Sequence, residues 1–281
     1  MTLVNLTEAL ALAEPGRRAI GAFNVVHLET AEAIVAAAES AELPVVLQIS
    51  QNCAAYHGGL EPIALGAKAL ARTSTQPVVL HLDHAEDIEL IDEALGLGFT
   101  SVMYDGSTLP YGENLATTRA TVTKAHDLGV SVEAELGEVG GKDGAHAPGV
   151  RTDPDEAQAF WANTGVDALA VAVGSSHAMT SRTAELDVDL IARLRGTVPV
   201  PLVLHGSSGV ADHGLRAAIE AGIAKVNVST HLNAVFTGAV RDFLAANPAV
   251  VDSRKYVGVG RDALSAEAAR LLLLFAGSPR E

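Results

Sequence analysis

Residues 167–173 read Asp-Ala-Leu-Ala-Val-Ala-Val, a short run that is apolar at every position after the first. A strand with one solvated face alternates apolar and polar residues, whereas a strand buried on both faces is apolar throughout. This run is therefore typical of a strand in a parallel sheet whose two faces are both covered. Amphipathic stretches on either side, at 154–164 and 188–195, predict the helices that cover it.

The same alternation runs along the whole chain. Eight strands are predicted, at 19–24, 44–50, 77–82, 100–104, 130–135, 167–173, 201–204 and 224–228. Helices are predicted at 28–42, 60–73, 88–97, 114–128, 154–164, 188–195, 213–221 and 231–245. Eight βα units in roughly 250 residues are typical of a (β/α)8 TIM barrel, whereas an open doubly wound sheet, the alternative, more often has fewer strands. We therefore predict an α/β protein, a single TIM-barrel domain over residues 1–281, with a helical C-terminal extension from about residue 246.

Composition and charge exclude several classes of protein. Hydrophobic residues make up 48% of the 281 positions, which excludes a wholly disordered chain. The net charge of −15 argues against nucleic-acid binding, and the single cysteine, Cys53, excludes an internal disulfide and a cysteine-based zinc cluster. The first residues do not form a signal peptide, and the longest apolar run, 271–276, is too short to span a bilayer. We expect a cytoplasmic protein with no nucleic-acid or membrane partner.

A polar or ionisable residue stands at the end of each predicted strand. These residues are Asn24, Ser50, Asp83 with His84, Asp105, Glu135, His177, His205 and Asn227. The active site of a TIM barrel lies at the carboxyl ends of its strands, so we expect these side chains to converge.

Three of these residues, His84, His177 and His205, are histidines. Imidazole is the commonest metal ligand, and three histidines with an open fourth position are typical of a catalytic zinc site. The three are far apart in sequence, so the prediction rests on their equivalent strand-end positions and not on local spacing.

Two segments after the seventh and eighth predicted strands suit a phosphate group. They are His205-Gly-Ser-Ser-Gly209 and Asn227-Val-Ser-Thr230. Backbone N–H groups and hydroxyls at these positions form the usual phosphate site of a TIM barrel. Ser229 and Thr230 also suit ordinary helix N-capping, and the two roles are compatible.

At these residues the chain resembles the zinc-dependent class II fructose/tagatose-bisphosphate aldolases, and most closely their tagatose-type branch. The matching motifs, in family order, are Ala22–Asn24, His81–His84, Val132–Gly137, Val173–His177, His205–Gly209, Lys225–Thr230 and Asp252–Tyr256. The resemblance runs from about residue 5 to residue 275. It implies reversible retro-aldol cleavage of a phosphorylated ketose, such as fructose or tagatose 1,6-bisphosphate, to dihydroxyacetone phosphate and an aldehyde.

The resemblance also implies the chemistry of the centre. His84, His177 and His205 would hold one Zn²⁺, which would polarise the C2 carbonyl and stabilise the enediolate of dihydroxyacetone phosphate. Glu135 would be an alternative metal ligand, or a partner that orients a ligating histidine. Asp83 would exchange a proton with the C4 hydroxyl.

Further residues would contact the substrate. Asn227 would contact the dihydroxyacetone unit, and Ser208 and Thr230 would bind its phosphate together with the backbone N–H groups of Ala178 and Gly206. The other expected substrate-binding residues are Asn24, Ser50 and Ser229. Arg254 matches a family arginine that reaches the far phosphate from a neighbouring subunit, which implies a homodimer or homotetramer. An ordinary surface charge on a helix is an equally good interpretation of Arg254. A monovalent cation, Na⁺ or K⁺, would bind beside the phosphate through backbone carbonyls after the sixth and seventh strands.

The chain departs from the family pattern at two places. The family's His-Gly-x-Tyr with a following lysine is here His177-Ala-Met-Thr180, and Arg182 is the nearby cation. The glycine-rich segment 137–152 carries Gly140-Gly-Lys-Asp-Gly144, where the family has two acidic residues. Asp143 would therefore replace the family's loop glutamate in abstracting the C3 proton, on a loop that closes over the substrate. These departures leave the natural sugar phosphate open.

Three other functions remain open on the residues alone. Lys225 shares a strand face with Asn227 and would be the nucleophile of a Schiff-base aldolase. A zinc hydrolase on the same fold would use the metal to activate water. A non-catalytic barrel would have kept only a pocket that binds sugar phosphates.

Overall fold

The computed structural model describes residues 2–13, 18–136, 151–177 and 179–277. Eight parallel strands pair in sequence order, and β1 pairs with β8 to close the barrel. The strands are β1 Ile20–Asn24, β2 Val45–Ser50, β3 Val78–Ala85, β4 Ser101–Tyr104, β5 Ser131–Leu136, β6 Ala168–Val171, β7 Leu202–Leu204 and β8 Ile223–Val228. The predicted TIM barrel is confirmed.

Helices cover the barrel between the strands. In the described residues they are α1 Leu6–Ala13, α2 Leu28–Ala41, α3 Gln51–Tyr56, α4 Glu61–Thr73, α5 Ile88–Leu97, α6 Tyr111–His126, α7 Pro154–Thr164, α8 Val188–Thr197, α9 Asp212–Ala221, α10 Thr230–Ala246 and α11 Ser253–Phe275. The predicted helices fall within a few residues of these bounds, whereas α1 and α3 have no predicted counterpart. None of the helices in this part of the chain is both long and apolar enough to cross a membrane.

Two strand boundaries matter for the site. The predicted sixth strand reaches Val173, but β6 ends at Val171, so His177 lies in a loop and not at the strand end. The predicted third strand stops at Leu82, but β3 continues through His84 to Ala85. His84 has a positive φ of 48°, and the pairing of β3 with β4 shifts register between Leu82 and Ala85. Asp83 and His84 remain within β3, but the irregularity interrupts the regular alternation of side chains between the two faces of the strand.

The inside of the barrel is layered from apolar to polar. Because alternate residues of a strand face the same side, each strand contributes one series of side chains to the interior. At the amino-terminal end this series is apolar, and α1 packs against it with Leu6, Ala9, Leu10 and Ala13. The apolar strand residues in this cluster are Ile20, Ala22, Val46, Val79, Met103, Ala168, Ala170 and Val203.

Towards the carboxyl ends the same series turns polar. Val46 is followed two residues later by Gln48, Val79 by His81, and Val203 by His205. The opposite faces of the strands pack against the surrounding helices in the main hydrophobic core. The helix α1 therefore closes one end of the barrel, and the polar side chains collect at the other.

Candidate active site

The carboxyl ends of the strands surround a cavity of about 500 Å³. It is lined by Asn24, Gln48, Ser50, Gln51, Asn52, Asp83, His84, Glu86, His177, His205, Gly206, Ser207, Ser208, Asn227, Ser229 and Thr230. Most of the residues predicted from strand ends and motifs are therefore brought together in one place. The polar character of this lining suits a strongly hydroxylated or phosphorylated ligand and not an apolar one.

Three imidazoles meet at the base of this cavity. One ring nitrogen from each of His84, His177 and His205 lies within 4.8 Å of the other two. His84 comes from β3, His205 follows β7 directly, and His177 arrives on the loop after β6. The ring of His84 stands edge-on to the other two, with centroid distances of 5.0 Å to His177 and 4.5 Å to His205.

The hydrogen bonds of this cluster fit a bound metal. His84 Nδ1 lies 2.6 Å from Asp105 Oδ2, and His205 Nε2 lies 2.9 Å from Glu133 Oε1. A carboxylate accepts a proton, so each of these nitrogens carries N–H and the other nitrogen of each ring has a lone pair. Those two nitrogens, His84 Nε2 and His205 Nδ1, face each other at 2.8 Å. Two lone pairs repel each other at this distance, but the arrangement becomes favourable when a cation lies between them and both nitrogens coordinate it.

The charge state of His205 agrees with this arrangement. The side chain is completely buried. Burial, followed by the nearby His84 and Lys225, holds the pKa of His205 well below its usual value of 6.5. The imidazole is therefore neutral at pH 7 and is able to act as a ligand.

Asp83 lies beside the histidines and is almost completely buried. Its Oδ2 accepts a hydrogen bond of 3.1 Å from Asn24 Nδ2, and Asn227 Nδ2 lies 3.4 Å from Oδ1. Burial alone would raise the pKa of Asp83, but His84, His205, Lys225 and the Asn24 bond outweigh burial and lower the pKa. Asp83 is therefore ionised at neutral pH and is able to accept a proton.

A chain of amides fixes the position of that carboxylate. Gln48 Nε2 donates to Asn24 Oδ1 over 2.6 Å, and Asn24 in turn donates to Asp83. Both amides line the cavity, Gln48 from β2 and Asn24 from the end of β1. The carboxylate of Asp83, the acid/base candidate, is therefore held in place by amides from β1 and β2.

The loops after β7 and β8 form the other wall. Gly206 adopts a left-handed conformation with φ 65° and leads into a 3₁₀ turn at Ser207–Gly209. Ser208 Oγ accepts a hydrogen bond of 3.1 Å from the backbone N–H of His231, in the first turn of α10. Ser229 is the N-cap residue of α10 but makes no capping hydrogen bond with its side chain. Ser229 therefore occupies the N-cap position, but the side-chain hydrogen bond to the first turn of this helix comes from Ser208 of the neighbouring loop.

Some predicted residues lie elsewhere. Glu135 and Asp105 do not line the cavity but stand behind His84, with Glu135 Oε2 at 4.0 Å from His84 Nδ1. Arg254 lies in the first turn of α11, its side chain is 89% exposed, and it pairs with Asp252. Asp143 and Ala178 lie outside the described residues.

Several residues of the site carried no role in the sequence analysis. Gln51, Asn52 and Glu86 line the cavity, and Glu133 holds His205. Glu133 had a signal in the sequence, because it alternates with Glu135 along a buried strand and must therefore share its inward face. The polar residues 51 and 52 had none, because the short helix α3 that presents them was not predicted.

Lys225 bears on the Schiff-base alternative. Its side chain is completely buried, and Nζ donates to Glu133 Oε2 over 2.8 Å. Lys225 is not one of the residues that line the cavity. The amine is therefore directed away from the space that a carbonyl substrate would occupy.

Comparison with known proteins agrees with this geometry. Residues 4–279 match the family model described as fructose-bisphosphate aldolase class-II. A fructose-bisphosphate aldolase of Geobacillus stearothermophilus is 42% identical over 270 residues, which cover 95% of this chain and 94% of that protein. A fructose-bisphosphate aldolase of Staphylococcus aureus is 40% identical over 268 residues, with 94% of each chain covered.

A solved structure is also similar over nearly its whole length. The YdjI aldolase from Escherichia coli K12 superimposes with a TM-score of 0.84 at 33% identity, covering 97% of each chain. The family model spans almost the whole chain, and the relatives share its length. The chain belongs to the class II fructose-bisphosphate aldolase family.

Proposed function

We propose that this protein is a lyase that cleaves a ketose bisphosphate between C3 and C4 in a reversible retro-aldol reaction. One observation carries the proposal: an ionised carboxylate, a three-histidine cluster and a hydroxyl-rich pair of loops face the same cavity. Family membership supports the reaction class. A pocket that only bound sugar phosphates would have no need of a positioned proton acceptor.

Asp83 acts as the acid/base group. In cleavage, its carboxylate takes the proton of the C4 hydroxyl, C4 becomes the aldehyde carbon, and the C3–C4 bond breaks. The electron pair of that bond stays on the dihydroxyacetone phosphate half, which takes up a proton at C3. In condensation, the same carboxyl group returns its proton to the aldehyde oxygen.

His84, His177 and His205 hold a catalytic Zn²⁺. A bound zinc ion supplies a Lewis acid for the C2 carbonyl of the ketose. The protein prepares its ligands for that ion, because Asp105 and Glu133 fix the orientation of His84 and His205. Glu135 stands close enough to His84 to orient it or to serve as an alternative ligand.

The loops after β7 and β8 bind the phosphate of the dihydroxyacetone half. Ser208, Ser229 and Thr230 present their hydroxyls to the cavity beside the N-terminus of α10, where the helix dipole favours an anion. Gly206 contributes its backbone N–H, and Ala178 is proposed to do the same. Asn24, Ser50 and Asn227 line the wall towards the dihydroxyacetone unit.

Asp143 is proposed to deliver the proton to C3 in cleavage and to abstract it from dihydroxyacetone phosphate in condensation. In the segment Gly140-Gly-Lys-Asp-Gly144, Asp143 is the residue that carries a carboxylate. Its position in a glycine-rich segment supports arrival with the substrate and not before it.

The assembly and the remaining partners are also proposals. A homodimer or homotetramer would let Arg254 of one copy serve the far phosphate of another, and the exposure of Arg254 at the start of α11 supports this. A monovalent cation, Na⁺ or K⁺, is proposed beside the phosphate. We further propose that residues 1–281 act as one domain in the cytoplasm, in the tagatose-type branch of the family.

A retro-aldol screen tests the function directly. Phosphorylated ketoses are incubated with the enzyme, with and without a chelator, and the release of dihydroxyacetone phosphate is measured. We expect chelator-sensitive release from a ketose 1,6-bisphosphate. Binding of these sugars without cleavage, in a zinc-loaded protein, would instead favour the non-catalytic alternative.

A further inference from the structure

A buried group of ionisable side chains lies in the middle of the barrel, below the cavity. Glu133, Lys225 and His81 are completely buried and none of them lines the cavity. Glu133 makes two short contacts at once: Oε2 accepts from Lys225 Nζ over 2.8 Å, and Oε1 lies 2.9 Å from His205 Nε2. The group therefore extends from the barrel interior to one of the three clustered histidines.

Stability alone does not explain a buried ion pair in this position. Burying two charges removes their hydration, and their mutual attraction offsets that free-energy cost only narrowly. Well-packed apolar side chains of similar volume usually give the folded protein equal or greater stability. The layer just beneath it shows that this barrel accepts apolar residues in its interior, such as Val79 and Val203. The presence of a charged pair at this position therefore points to a functional role at His205, the histidine that Glu133 contacts.

The geometry identifies that task. Lys225 Nζ donates to one oxygen of the Glu133 carboxylate and supplies a compensating charge, which fixes that carboxylate in place. The other oxygen then takes the N–H of His205 Nε2, so the proton stays on that nitrogen. His205 Nδ1 is left with its lone pair directed at His84, 2.8 Å away.

We propose that Glu133 and Lys225 form a positioning pair for His205: Glu133 fixes the tautomer and orientation of the ring, and Lys225 holds the Glu133 carboxylate in place. This inference rests on the proposed metal site. It also gives Lys225 a role that is not nucleophilic, in place of the Schiff-base role considered from the sequence.

Three variants separate a positioning role from a structural one. They are Glu133→Gln, Lys225→Met and the double variant. Two quantities are measured on each: the zinc dissociation constant, by competition with a chelator, and the stability of the zinc-free protein, by urea unfolding. Ser101→Ala is the matched control, because Ser101 lies in the same buried layer and bonds to His81 Nδ1 at 2.8 Å but not to His205.

We expect Glu133→Gln to weaken zinc binding by roughly 10–100-fold, the range typical of removing a carboxylate behind a ligating histidine. Lys225→Met leaves an uncompensated buried carboxylate, so the zinc-free protein should lose stability. The double variant restores neutrality, and its stability should recover while its zinc binding stays as weak as that of Glu133→Gln. The control should bind zinc like the unmodified protein.

The outcomes distinguish this inference from the proposed metal site. His205→Ala is measured in parallel; if it keeps zinc, the metal site itself is wrong. If His205→Ala loses zinc but Glu133→Gln and the double variant bind it normally, the positioning role alone is overturned. If a single variant fails to fold, the neutral double variant still decides the question, because it retains no unpaired charge.

Discussion

Replacing Gly206 with alanine should damage the site more than any comparable glycine substitution on the surface. Gly206 joins His205 to the 3₁₀ turn and has φ 65°. A Cβ at this position would lie 2.7–2.8 Å from the backbone C, N and O atoms of Ser176, the residue before His177. Backbone atoms cannot move aside as the end of a side chain can, so the loops after β6 and β7 must separate.

The magnitude follows from two independent costs. A left-handed conformation costs a non-glycine residue about 1–2 kcal/mol. Forcing extra volume into a well-packed region typically costs about 1–3 kcal/mol more. The free energy of unfolding should therefore fall by roughly 2–5 kcal/mol. Because Gly206 links the segments that carry two of the three histidines, zinc binding and the KM for the phosphorylated substrate should also worsen.

A matched control separates the two costs. Gly129 has a similar φ of 71° but open space where a Cβ would lie. Gly129→Ala should therefore show only the conformational cost, about 1–2 kcal/mol, with unchanged zinc binding. Urea unfolding and chelator competition measure both variants. If Gly206→Ala costs no more than Gly129→Ala and binds zinc normally, the close approach of the two loops is not what the site requires.

Four further outcomes are expected. Asp83→Asn should lower cleavage by roughly 10²–10⁴-fold and keep its zinc, and loss of metal with normal turnover per bound zinc would make Asp83 a ligand. EDTA should abolish activity, whereas borohydride with dihydroxyacetone phosphate should not; trapping by borohydride would restore the Schiff-base alternative. Asp143→Ala should slow tritium exchange at C3 of dihydroxyacetone phosphate at least as much as cleavage, and unchanged exchange in a zinc-loaded variant would assign the proton to another base. Burial opposes ionisation of Glu267, but hydrogen bonds from Arg270 and His231 outweigh burial and lower the pKa of Glu267 from 4.5 to about 2. The ionised Glu267 therefore stabilises the folded protein fully above pH 4.5, and this stabilisation is lost as the pH falls towards 2. Glu267→Gln should flatten this part of the pH dependence of the Tm.

The order of the barrel was predictable because its strands are short apolar runs set between longer amphipathic stretches. The boundaries that failed are those where the chain is irregular. β3 continues through His84 although the backbone adopts a positive φ there, an irregularity that no residue pattern indicates for a histidine. The helix α1 was not predicted because its sequence, Leu-Thr-Glu-Ala-Leu-Ala-Leu-Ala, finds its partners in the barrel interior and not in neighbouring residues.

The members of the site were more predictable than their interactions. Strand-end positions were enough to group His84 and His205 with Asp83, because the carboxyl ends of parallel strands meet at one edge, whereas His177 joins them from the loop after β6. The assignment of Asp105 to His84 and of Glu133 to His205 depends on side-chain direction and on the register between strands. Those are properties of the closed barrel, so the tautomers of the histidines could be inferred only from the structure.

The seam between β1 and β8 has a consequence for how the protein is made. Ala22 pairs with Asn227 across it, and the backbone N–H of Ala19 donates to the carbonyl of Phe275 in α11. These contacts join the first strand of the barrel to its last strand and to α11, far apart in sequence, so they give the fold a high contact order and close slowly. Until β8 is synthesised, β1 keeps one edge without a neighbour, and an open strand edge invites pairing with other nascent chains. Closure of the ring thus removes the open strand edge at which such pairing would occur.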